Sequence, residues 1–138
     1  MKILKSKFVP SIQVVYVNED DEKYKELSRI FAKHGYAFLV QSTIFIDETT
    51  LRTENLFDSA HLTFIESHEI AHAALKHNAS GRNKMQEAEA DYIGILLCKD
   101  KGYASSANIG KKYFKNRNAI TYRKFDEKYG KFLRSSIK

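Results

Sequence analysis

Residues 36–80 contain neither proline nor glycine, so nothing there breaks a helix, and the spacing predicts one over residues 59–77. That helix constrains the chain most, because it carries His68-Glu69-Ile70-Ala71-His72, an HExxH sequence. Residues four apart on a helix lie one above the other on the same face. His68 and His72 can therefore hold one metal ion from a single rigid element. Glu69 is turned about 100° further round the axis. Its carboxylate then stands beside such an ion rather than on it, placed to take a proton from water.

A catalytic zinc takes three protein ligands and keeps one position open. Three further histidines are available, His34, His61 and His77. His61 falls two turns below the motif, roughly 10 Å along the axis. His77, five residues past His72, is turned about 140° and is expected to point away from the shared face. His34 ends an earlier helix. A carboxylate from the next helix is the natural third ligand, and Gln86-Glu87-Ala88-Glu89-Ala90-Asp91 supplies it. Glu87 and Asp91 share a face, whereas Glu89 is about 200° from Glu87. Glu87 is assigned as the ligand. Asp91 is assigned as the carboxylate that accepts the N–H of a ligating imidazole and fixes its tautomer.

The elements around these helices point to an α+β fold. Residues 11–17 are β-branched and short, a first strand. Residues 18–22 are acidic and suit a helix N-terminus, with that helix running to about His34 and Gly35 as its stop. Residues 36–47 read as two strands meeting near Gln41-Ser42, the second apolar on both faces, and residues 49–58 as a loop or short helical turn. After a turn cluster at residues 78–83, helices are expected over 84–101, 105–116 and 121–135. Residues 1–58 are thus sheet-rich with one helix and residues 59–138 helical, in a single domain.

Residues 68–77 and 87–94 carry a resemblance as well as a chemistry. HExxH with a further His five residues on, then Glu87-x-Glu-Ala-Asp91-x-x-Gly94, resembles the gluzincin metallopeptidases of the HtpX and CAAX-protease type. The IrrE/ImmA regulatory peptidases share HExxH and a distant ExxA(N/D), but Asp91, Gly94 and His77 favour the first group. The resemblance covers residues 66–103, departs from that group in having no apolar run long enough to span a bilayer, and implies a minimal zincin-like domain. It implies one zinc ion on His68, His72 and Glu87, peptide-bond hydrolysis with Glu69 as general base, and a short antiparallel or mixed sheet. An edge strand beside the HExxH helix would pair with an extended substrate, and Thr43, Ile44, Phe45, Ile46 and Asp47 are its expected residues. Such an edge is an aggregation hazard unless covered, and a latent form or a dimer would cover it. Tyr92, Tyr103, His77, Tyr122 and Arg123 are the candidate oxyanion donors.

Charge and cysteine usage bound the alternatives. Residues 111–138 hold ten Lys/Arg against Asp126 and Glu127, although the whole chain is only +6. That segment allows nucleic-acid binding, but no recognition motif accompanies it, and a solvated helix face is favoured. The competing reading is a nucleic-acid-associated or protein-binding module with a structural or vestigial zinc site. The single cysteine, Cys98, sits in an apolar run and is expected to be buried, in a reducing, cytoplasmic setting. The N-terminus reads as neither secretory signal nor membrane anchor.

Overall fold

The computed structural model describes residues 1–77 and 84–117. The turn expected at 78–83, the helix expected over 121–135, Tyr122, Arg123 and the basic segment beyond Arg117 lie outside the described residues. The order of elements is β1 (Lys2–Lys5), β2 (Gln13–Val17), α1 (Tyr24–His34), β3 (Ala37–Val40), β4 (Thr43–Asp47), α2 (Glu48–Thr53), α3 (Ser59–Ala74), α4 (Lys84–Asp100) and α5 (Ala104–Arg117). The fold is α+β, with a small mixed sheet of four strands and five helices among the described residues. None of these helices is long and apolar enough to cross a membrane.

The strands lie in the order β1-β2-β4-β3. β2 and β4 pair in parallel, Val14 opposite Ile44 and Tyr16 opposite Ile46, while β1 and β3 add antiparallel at the two edges. β4 is therefore interior, and the expectation that Thr43, Ile44, Phe45, Ile46 and Asp47 form an open edge is corrected. Alternate residues of a strand point to opposite faces. Ile44 and Ile46, both fully buried, pack with Val14, Leu51 and Ile70 on the α3 face. Phe45 packs with Val15, Val17, Phe31 and Phe38 on the α1 face. A strand covered on both faces reads as an unbroken apolar run, and that, rather than edge exposure, is why β4 looks as it does. Each fully buried Ile or Leu contributes about 1.5–3 kcal/mol relative to exposure. The edge strand beside α3 is β3.

Asp58 caps α3 by accepting from the His61 backbone N–H at 2.9 Å. The helix stops at Ala74, not at His77 as the lack of breakers suggests. Leu75 is the cap and Lys76 takes a left-handed φ of 57°. The N–H of Lys76 donates to Ala73 O (3.1 Å) and that of His77 to His72 O (3.0 Å), the Schellman pattern of helix ends. Glycine normally holds the left-handed position, and here lysine does. α1 also starts later than its acids suggest. Residues 18–21 form a turn in which Asp21 accepts from the Asn18 N–H (2.8 Å) and from the Met1 ammonium (2.8 Å).

From Glu66 to His72 every residue of α3 is buried, with the sheet packed on the helix through Ile70 and the α4–α5 pair through Phe64. A segment far away in sequence also holds it. The buried Glu66 carboxylate accepts from the Ser6 hydroxyl (2.9 Å) and the Lys7 N–H (2.8 Å), tying the chain between β1 and β2 to the helix.

Candidate metal centre

Gly94 sets the separation of α3 and α4. A Cβ at this position would stand 3.1 Å from Ser67 Oγ, 3.2 Å from His68 N and 3.3 Å from His68 Cα, so α4 lies almost directly on the α3 backbone. Asp91 and Glu87 precede Gly94 by three and seven residues on the same helix face. The close approach delivers both carboxylates to the histidines.

His68 Nε2 and His72 Nε2 are 3.0 Å apart. The Glu87 carboxylate spans them, Oε2 at 3.1 Å from His68 Nε2 and Oε1 at 3.2 Å from His72 Nε2. A tetrahedral metal ion with bonds of about 2.0–2.1 Å holds its ligand atoms about 3.4 Å apart, so this triangle needs to open by only a few tenths of an ångström. His68, His72 and Glu87 form a group that could hold a metal ion, the set expected from the sequence. On the other side of the His68 ring, Nδ1 donates to Asp91 Oδ1 at 2.8 Å. Asp91 is fully buried, and in the neutral ring its contact keeps the proton on Nδ1, so that Nε2 is the nitrogen with the lone pair that a metal ligand requires.

Glu69 stands next to this triangle rather than in it. Its Oε2 is 3.9 Å from His68 Nε2, and the residue is buried. The electrostatics of the cluster follow from its packing. Burial works against a charged imidazolium, but the hydrogen bonds to Asp91 and Glu87 outweigh it and push His68 up to about 9. Burial also works against the Glu87 carboxylate, yet His68 and His72 hold its pKa well below the usual carboxylate range. Without a metal, these donors are held together by protons that a cation would displace.

The other expected site residues are placed differently. Tyr103 follows the far end of α4, roughly 20 Å along the helix axis from Glu87. Its ring meets Phe8 edge-on at 5.7 Å, with Lys7 Nζ 5.7 Å from its centroid, which removes it as an oxyanion donor. Tyr92 is buried against Phe114 in the α4–α5 core. His77 does not point away as the helical angle predicts. The helix has ended, and its Nδ1 lies 2.9 Å from His72 Nδ1. It therefore lies behind His72, on the side of that ring away from His68 and Glu87. Glu89, expected on the opposite side of α4, reaches to within 4.0 Å of His77 Nε2. The spacing of His77 was visible in the sequence, but its contact depends on a lysine taking a position that glycine usually marks.

No protein-family model, curated protein or solved structure matches the chain.

Proposed function

We propose that this protein is a zinc-dependent endopeptidase of zincin-like fold, related to the gluzincins that its motifs resemble. The observation that carries this reading is the meeting of His68, His72 and Glu87 from two helices, with the buried Glu69 carboxylate beside them. Two imidazoles and one carboxylate are a donor set suited to zinc, and three protein ligands are the number a catalytic site uses.

Bound there, zinc would supply Lewis acidity and bring the pKa of water toward neutrality. Asp91 holds the His68 ring in the tautomer that presents Nε2. Glu69, close by but outside the triangle, takes the proton of the attacking water and returns a proton to the leaving amine. The edge strand β3, which packs beside α3, is the place for an extended peptide to add by strand pairing.

The test joins metal content to hydrolysis. Wild-type protein prepared without chelators should carry about one zinc ion per chain, and Glu87→Ala should lose it. Glu69→Gln should retain zinc and cleave an unstructured protein such as casein about 10²–10⁴-fold more slowly. A wild type that takes up no zinc, or a Glu69→Gln variant that cleaves at the wild-type rate, would overturn the reading.

A further inference from the structure

His72 offers Nε2 to the cluster, so its Nδ1 must carry the ring proton whenever Nε2 binds a metal. That proton needs an acceptor, because a buried N–H without one costs about 1–3 kcal/mol. The nearby His77 Nδ1, at 2.9 Å, is placed to accept it. The two rings meet edge-on, with centroids 5.1 Å apart. His77 then keeps its own proton on Nε2, on the side of the ring that faces Glu89 Oε1 at 4.0 Å, and its side chain is only 7% exposed.

The helix end explains this placement. In a Schellman motif the second residue beyond the cap folds back over the third residue from the helix end, usually with a hydrophobic contact. Here those residues are His77 and His72, and a contact between ring nitrogens replaces the hydrophobic one. A neutral acceptor also has an electrostatic logic. Glu69, Glu87 and Asp91 already bring three carboxylates to the site, and an imidazole behind His72 adds no fourth.

We infer that His77 is a positioning residue for His72, accepting its Nδ1 proton so that Nε2 faces the metal. This rests on the metal-centre reading above, and zinc affinity separates the two. Zinc dissociation constants would be measured by competition with a chromophoric chelator for wild type, His77→Leu and His77→Asn. Cobalt(II) absorption spectra and metal-free melting curves would accompany them. Asn carries an amide oxygen close to the Nδ1 position and should bind zinc within about threefold of wild type. Leu has no acceptor and should bind about 10–100-fold more weakly, with an altered cobalt spectrum. If His77→Leu does not fold, His77→Gln replaces it, since its amide lies one carbon further out and misses the Nδ1 position. Equal affinity of Leu and wild type overturns the inference. So does equal weakening of Asn and its comparison variant, which would mark a merely structural role. A wild type that binds no zinc overturns both readings, whereas tight wild-type binding unaffected by His77 overturns this one alone.

Discussion

Gly94→Ala sets two effects of opposite sign against each other. Alanine inside a helix is worth about 1 kcal/mol over glycine. The added methyl, however, would stand 3.2 Å from His68 N and 3.3 Å from His68 Cα, both backbone atoms in the middle of a buried helix. Carbon pairs prefer about 3.5–4.0 Å, so α4 has to back away by roughly 0.3–0.5 Å. Overpacking of this kind costs about 1–3 kcal/mol. The net loss is then roughly 0–2 kcal/mol, up to about 8 °C in Tm for a domain of this size. The site should suffer more than the fold. Glu87 and Asp91 ride on α4, and the same withdrawal lengthens the 2.8 Å His68–Asp91 hydrogen bond and opens the donor triangle. Zinc affinity should fall about 10–100-fold, the usual cost of losing such support, or about 1.4–2.8 kcal/mol. Competition titration with a chelator measures the affinity, and thermal unfolding of the metal-free protein measures the fold. A variant that melts higher than wild type and binds zinc equally well would show that Gly94 does not set the helix separation.

Because His68 is raised from 6.5 to about 9, binding zinc at neutral pH expels its proton, and affinity should rise about tenfold per pH unit up to about 9. Linkage runs the other way in the metal-free protein. The His68 contribution is fully present below about 6.5 and is lost as pH rises through about 9, while that of Glu87, whose pKa is lowered, is lost in acid. Proton release measured on zinc addition, together with metal-free unfolding across this range, checks both signs, and a pH-independent affinity refutes the assignment. Gly110→Ala should destabilise by about 1–3 kcal/mol. Its Cβ would meet Phe64 Cε1, with Phe64 Cδ1 at 2.8 Å and Ile95 Cγ1 at 2.7 Å. Phe64 is buried and stacked on Tyr113, so its ring cannot swing clear; a denaturation midpoint at or above wild type would contradict this.

What the sequence determined by itself is what short-range geometry governs. The HExxH helix, its histidine pair, and the i,i+4 relation of Glu87 and Asp91 follow from helical periodicity alone, whereas the meeting of His68, His72 and Glu87 rests on the close approach of α3 and α4. The α+β class and most element limits follow from local patterns as well. β1 has no signature in the sequence because all four of its residues are exposed, so no alternation marks it, and its pairing with β2 holds it in place. Tertiary structure decided the rest. The pattern of β4 says that both faces are covered but not which strands flank it, since edge or interior position depends on partners elsewhere in the chain. The tie between Glu66 and the Ser6–Lys7 segment joins residues about sixty apart and leaves no periodic trace. His77 shows the limit most clearly. Helical angles turn it away from the face shared by His68 and His72, but once Lys76 takes a left-handed conformation those angles no longer apply, and packing at the helix end brings its ring onto His72.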